Sequence, residues 1–309
     1  MRFSFSLTTC LCLAATMLSC SVGNETGNSI TDLRCEYQRS PLTVDVQAPR
    51  FTWIYDGVDG FVQHSYSLAV ASSEEKLSSP DIWCSGTVTS SVPFARMEDT
   101  GLMVSDHEYF WQVTAWNADS TKVLVSEPAK FRTALMGRTD WKAVWVTDSH
   151  DKDFEAAPMF RKEFDAGQDV VSARVYMSAC AYAEVRLNGE PVSDAFLDPG
   201  YTHYDKRNLY TVTDVTGKVR SGENVITAVL GNGFYNEIKP VATWNFENAR
   251  WRGRARFILE LHVTHADGTT SVIASDKTWK TTADGPYISN NIYSGDTYDA
   301  RKEIAGWYE

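Results

Sequence analysis

The sequence predicts an all-β protein: a small β-sandwich followed by a longer jelly-roll β-sandwich. Three observations carry that expectation. Apolar residues alternate with polar ones in short segments, Gly, Pro and Asn-Gly turns punctuate them, and no stretch downstream of residue 136 sustains a 3.6-residue period. The chain has 309 residues, a length that favours two domains, and 43% hydrophobic with 22% charged residues is an ordinary globular balance.

Residues 1–20, MRFSFSLTTCLCLAATMLSC, place Arg2 ahead of an apolar, small-residue run without acids, the layout of a secretory signal peptide and too short for a membrane span. Met17-Leu18-Ser19-Cys20 resembles a relaxed bacterial lipobox. Cleavage there leaves Cys20 as a lipidated first residue, with residues 21–30 as its tether. An exported outer-membrane lipoprotein is the expectation, with a soluble periplasmic protein as the alternative. Three of the six Cys lie in this leader, leaving Cys35, Cys84 and Cys180. A Cys35–Cys84 bridge is open in an oxidising compartment, but nothing in spacing or parity demands it, and a buried free thiol is the simpler state.

Residues 31–135 form the first sandwich. Its strands read as Arg50-Phe-Thr-Trp-Ile, Ser65-Tyr-Ser-Leu-Ala-Val-Ala, Tyr109-Phe-Trp-Gln-Val-Thr-Ala-Trp and Ala129-Lys-Phe-Arg-Thr. Trp53, Trp83, Trp111 and Trp116 lie on or beside them and are assigned to the core. Ser72-Ser-Glu-Glu-Lys-Leu is a short connecting helix.

Residues 136–309 form the second domain. Its strands read as Ala143-Val-Trp-Val, Met159-Phe-Arg-Lys-Glu-Phe, Ser172-Ala-Arg-Val-Tyr-Met, Ala183-Glu-Val-Arg-Leu, Asn224-Val-Ile-Thr-Ala-Val-Leu and Arg256-Phe-Ile-Leu-Glu-Leu-His-Val. Turns fall at Asn188-Gly189, Asp198-Pro199-Gly200, Gly231-Asn232-Gly233 and Asp267-Gly268. Some 170 residues of this pattern favour a jelly roll, because two packed sheets bury more of each strand's apolar face.

A formal net charge of −11 argues against a phosphate backbone, so nucleic acid is not an expected partner. The chemistry that stands out is aromatic and amide-rich. Phe234, Tyr235, Trp244, Phe246 and Trp251 cluster in a long loop, roughly 232–254, with Asn232, Asn236, Glu237 and Asn245 between them. Sugar recognition needs such ring faces for C–H surfaces and amides for hydroxyls. Asn232, Phe234, Tyr235, Asn236, Trp244 and Trp251 are therefore candidate carbohydrate contacts, and ordinary loop packing is the alternative. Asp198-Pro199-Gly200-Tyr201 with Asp205, Lys206 and Arg207 reads as a tight turn before a solvated strand edge. Asp296, Asp299 and Arg301 read as a solvated charge cluster. The six His show no metal-ligand spacing.

The ordered motifs Val175-Tyr, Tyr182-Ala-Glu-Val-Arg-Leu-Asn-Gly, Leu197-Asp-Pro-Gly-Tyr-Thr-His-Tyr-Asp-Lys-Arg, Tyr210-Thr-Val-Thr-Asp-Val-Thr, Leu230-Gly-Asn-Gly-Phe-Tyr and Ile292-Tyr-Ser-Gly-Asp-Thr-Tyr-Asp-Ala-Arg resemble the amino-terminal domains of bacterial α-L-rhamnosidases, glycoside hydrolase family seventy-eight. Pro49-Arg-Phe-Thr-Trp and Phe110-Trp-Gln-Val-Thr-Ala-Trp extend the resemblance to a leading fibronectin type III/Ig-like sandwich. The resemblance implies a modular enzyme whose general acid and base sit on an (α/α)6 barrel and act by inversion on terminal rhamnose of plant glycans. Neither carboxylate maps onto this sequence, so the chain is expected to be catalytically silent and to need a C-terminal catalytic barrel as its partner. The resemblance also implies calcium as a candidate cofactor, held through turns placed like Leu187-Asn188-Gly189 and Gly231-Asn232-Gly233. That makes Asn188 and Asn232 candidate ligands, although Leu187 brings no side-chain oxygen. An Asn-Gly hairpin turn explains Asn188 without a metal. A free-standing rhamnose-binding lectin and a purely structural spacer are the alternative functions.

Overall fold

The computed structural model describes residues 29–57, 60–238 and 246–309. Cys20, Trp244 and Asn245, together with the leader, lie outside the described residues. The chain divides into two compact units, the first ending at Asp140 and the second beginning at Trp141.

Among the described residues the first unit has nine strands: β1 Ser29–Cys35, β2 Arg50–Asp56, β3 Ser65–Ala71, β4 Trp83–Cys84, β5 Val88–Thr89, β6 Phe94–Arg96, β7 Glu108–Trp116, β8 Val123–Val125 and β9 Ala129–Arg132. One sheet has the order β1-β2-β6; in the other, β3 and β7 pair centrally, β4 and β5 join β3, and β8 and β9 join β7. Strand β7 shows the driving pattern, with Tyr109, Trp111, Val113 and Ala115 buried and each intervening residue half-exposed. Trp111 meets Phe51 at 4.7 Å between ring centroids, and Trp53 meets Tyr66 at 5.1 Å. Trp53 and Trp111 are core residues. Trp83 is half-buried but packs against this core, whereas Trp116 is half-buried and not part of it, which corrects the expectation for that tryptophan. Trp116 lies five residues from Trp111 on one strand, and odd spacing turns it to the opposite face. The expected short helix is a single 3₁₀ turn, Glu74–Ser78.

The second unit has β10 Met159–Asp165, β11 Val170–Cys180, β12 Tyr182–Leu187, β13 Glu190–Pro191, β14 Tyr210–Asp214, β15 Glu223–Gly231, β16 Arg256–His265, β17 Thr270–Ala274, β18 Lys280–Thr282, β19 Tyr287–Asn291 and β20 Gly295–Tyr298. Two antiparallel sheets, β13-β12-β15-β10-β18 and β14-β11-β16-β17, enclose Phe160, Val175, Leu187, Ile226, Phe257 and Leu259; β19 and β20 form a separate hairpin. The non-consecutive strand order gives the two packed sheets that the sequence predicted for this unit.

One expected strand is absent. Ala143-Val-Trp-Val makes only a single bridge, Val146 to Phe257. The amides of Lys142 and Ala143 instead donate to the buried carboxylate of Glu260, and Val144 N donates to Ser275 O at 2.9 Å. A side chain has taken the backbone donors that a ladder would use. Burial pushes the Glu260 carboxyl up, but His262 Nε2 at 2.7 Å and those two amides outweigh it and hold the group below its ordinary value. The three cysteines described are free thiols, and burial pushes Cys180 up to about 11.

Candidate functional site

The site grows from the end of β15. Beyond Gly231 the chain turns through Asn232 and Gly233, whose φ is +49°. A Cβ on Gly233 would lie 2.7 Å from Tyr182 Cε2 and 3.2 Å from Ala181 Cβ, so only glycine lets the Tyr182 ring rest on the turn. Gly233→Ala is expected to cost about 1–3 kcal/mol, from positive φ and overpacking together. Urea denaturation checks this, and a change within error would show that the turn relaxes freely.

Two amides brace the same turn. Asn232 N donates to Asn290 Oδ1 at 2.6 Å, and Asn232 Oδ1 accepts from Asn236 Nδ2 at 3.1 Å. Asn236 also donates to Lys152 O at 2.8 Å and accepts from Arg252 Nε at 3.1 Å. Both side chains are buried and turned inward, which assigns them to holding the loop rather than to reaching a ligand.

The aromatics form two layers. Tyr235 and Tyr204 are buried with Cys180 and Ala181, their rings 5.3 Å apart, and Arg256 donates to the Tyr235 hydroxyl. Tyr235 is therefore a core residue. The outer layer joins Phe234 to Tyr201 at 5.1 Å, to Phe246 at 5.3 Å and to Tyr293 at 5.9 Å, while His203 meets Trp251 at 4.5 Å. Tyr201 and Tyr293 are exposed there. The segment at 198–207 is thus not a solvated strand edge: β14 begins only at Tyr210, and Tyr201 and Tyr204 anchor the preceding run to the loop. Sequence reasoning passed over Tyr201, His203, Tyr204 and Tyr293. The signal was present in the Tyr-Thr-His-Tyr run, whose aromatics do not suit a solvated edge.

Beside this cluster Glu237 is buried, and neither of its carboxylate oxygens has a hydrogen-bond partner among the described residues. Burial, with the charge of Glu247 added, pushes its carboxyl above the ordinary range.

The two candidate metal ligands do not meet. Asn188 and Gly189, with φ of 53° and 84°, make the tight turn between β12 and β13. Asn188 donates to Lys218 O and Asn224 Oδ1 and accepts from Val225 N. It sits at the start of β15, while Asn232 follows its end, since Leu187 pairs with Ile226 and Tyr182 with Gly231. Seven residues of strand separate the two levels by roughly 20 Å, far beyond the span of one ion's ligands. Among the described residues no three His, Cys, Asp or Glu side chains converge as a metal group.

Fold and site define a tandem of β-sandwich modules, the second carrying an aromatic-lined end. Residues 168–309 match the alpha-L-rhamnosidase N-terminal domain, and residues 30–137 the Rha78A-like N-terminal immunoglobulin domain. An alpha-L-rhamnosidase of Formosa agariphila is 33% identical over 342 residues, covering 99% of this chain and 35% of the relative. The structure of alpha-L-rhamnosidase from Dictyoglumus thermophilum superposes with a TM-score of 0.79 at 34% identity, covering 90% of this chain and 32% of that one. The Streptomyces avermitilis alpha-L-rhamnosidase, solved in complex with L-rhamnose, shares the fold at a TM-score of 0.78 and 22% identity, over 91% of this chain and 43% of that one. The chain carries, in order, the amino-terminal domain pair of α-L-rhamnosidases, and it spans about a third of the length of the curated relatives it matches.

Proposed function

We propose that these domains are the non-catalytic, amino-terminal part of an exported α-L-rhamnosidase that removes terminal α-L-rhamnose from plant glycans. The observation that carries this reading is the pair of domain matches in order along a chain that covers 35% of its rhamnosidase relative. Glycoside hydrolysis needs two opposed carboxyl groups at a sugar-filled cleft, one protonated and one ionised. This chain spans 35% of its rhamnosidase relative, and the acid and base are assigned to the remainder of the parent enzyme. Purified chain is expected to give no turnover of an aryl α-L-rhamnoside, and measurable hydrolysis would overturn the assignment.

Within that part, the outer aromatic layer of Phe234, Trp251, Tyr201 and Tyr293 presents the ring faces that a glycan, or the parent's barrel, packs against. Asn232, Asn236 and Tyr235 support it from beneath. Trp251→Ala separates the two uses: glycan affinity of the whole enzyme falls with stability unchanged if the layer binds sugar, and thermal stability falls with affinity unchanged if it packs a domain. The leader at residues 1–20 and Cys20 suit export and a lipid anchor to the outer membrane. Metabolic labelling with a palmitate analogue tests this, with loss of label expected in Cys20→Ser.

A further inference from the structure

Strand β6 of the first unit is an edge. Among the described residues it pairs with β2 alone, in the register Thr52 to Phe94, Phe51 to Ala95 and Arg50 to Arg96, and it ends its sheet. Trp53 N donates to Pro93 O at 3.4 Å and Met97 N to Pro49 O at 2.9 Å, so the odd-numbered residues of this run carry the bonds to β2. Bonding direction alternates along an antiparallel strand, and the N–H and C=O of Arg96 and Glu98 therefore point away from β2. Phe94 N turns back to Val92 O at 2.9 Å. Pro93 stands at an inward-bonding position, so its missing N–H is not one that the outer edge uses.

Side chains alternate along the same run. Ala95 and Met97 are buried in the core of the first unit, while Phe94, Arg96 and Glu98 are exposed on the other face. Apolar surface lies beside them: Phe94 is 39% exposed, Val92 59%, and Ile54 51% on the same face of β2. An edge with outward-pointing donors and acceptors is a template for a further strand, and its charges decide which strand it accepts.

Those charges select the occupant. A second copy of this edge, run antiparallel, presents outward-pointing groups at the same positions, and its Glu98 can stand opposite Arg96. The relation is a two-fold axis through Met97, so the contact is self-complementary and closes. Each guanidinium then faces a carboxylate across a hydrogen-bonded pair whose Cα atoms are about 5.5 Å apart. A slip of two residues in either direction, which alone preserves the bonding direction, sets Arg96 against Arg96 or Glu98 against Glu98. Like charges directly opposite one another are unfavourable, so one register is specified. Beyond Glu98 the edge stops, where Gly101 N donates to Asp99 Oδ1 at 2.9 Å in a local turn.

We propose that β6 is a self-association edge, through which two copies of the chain join their β1-β2-β6 sheets into one continuous sheet registered by Arg96 and Glu98. The surface lies in the first unit and is independent of the reading given above. Sedimentation velocity of the full chain over a concentration series tests it. A reversible dimer is expected, with a Kd of about 10–100 μM, as suits a short contact. Arg96→Glu and Glu98→Arg each bring like charges into register and are expected to raise Kd about tenfold or more. The double exchange, Arg96→Glu with Glu98→Arg, is expected to return Kd to within about threefold of the unsubstituted chain. Both side chains are exposed, and thermal denaturation checks that each variant folds. Glu98→Gln, with Kd raised about threefold, keeps the test decisive if a reversal misfolds. A chain that stays monomeric across the series overturns the proposal. So does a dimer indifferent to both single reversals, or one that the double exchange fails to restore.

Discussion

Replacing Arg254 with Met is expected to destabilise the second unit by about 3–5 kcal/mol, the usual cost of stranding one partner of a buried ion pair. Arg254 donates to both oxygens of Asp148 at 2.7 Å, and their side chains are 5% and 3% exposed. The same guanidinium donates to Phe154 O and Ala156 O at 2.8 Å, and lies 5.5 Å from the Phe154 ring. One side chain thus ties the segment at 148–156 to the chain two residues ahead of β16. The pairing also sets a pH dependence. Burial pushes the Asp148 carboxyl up, but Arg254 and His150 outweigh it and hold it below the ordinary aspartate value. A depressed folded pKa contributes stability that is fully present above the unfolded value, about 3.9, and is lost as pH falls through the folded one. Acid denaturation of the unsubstituted chain should show this limb, and the Met variant, which keeps only His150 beside Asp148, should show it much reduced. The double variant Asp148→Leu, Arg254→Met is expected to recover part of the loss. A single-variant loss below about 1 kcal/mol would show that the pair is not desolvated in solution.

Phe257→Ala is the second large effect, also about 3–5 kcal/mol, from lost transfer energy and the cavity left behind. Phe257 is fully buried, with its ring 5.0 Å from Phe160 and 5.3 Å from Trp279. It therefore joins both sheets of the roll, since Phe160 lies on β10 and Phe257 on β16. Its backbone also exchanges both hydrogen bonds with Val146, the one bridge that seats the segment entering this unit. Amide hydrogen exchange localises the outcome: protection should fall across β10, β11 and β16, while β3 and β7 of the first unit keep theirs. Equal loss in both units would contradict the division after Asp140.

Much of this was legible beforehand. Strands β2 and β7 follow from alternation, because a half-buried sheet imposes a period of two, whereas β15 and β16 follow from apolar runs buried on both faces. The turn at Asn188-Gly189 follows equally directly, since few residue pairs accept positive φ twice. Failures occurred where a distant group outbid the local rule. Glu260 claimed the amides of Lys142 and Ala143 from more than a hundred residues away, so Ala143-Val-Trp-Val did not become a strand. Tyr204 disappeared into a cluster with Tyr235, and the polar residues around it disguised that burial.

By itself the amino-acid order determined the all-β class, most strand positions, the two-module plan and the family. The folded chain alone decided which remote residues meet. Asn232 found Asn290, fifty-eight positions later, whereas Asn188 was carried to the opposite end of the same strand. The reason is the range of the forces involved. Side-chain alternation and turn propensity act over a few bonds and leave their mark in any short window. Antiparallel pairing places strand ends by register, and register is settled only when both sheets close over a common core.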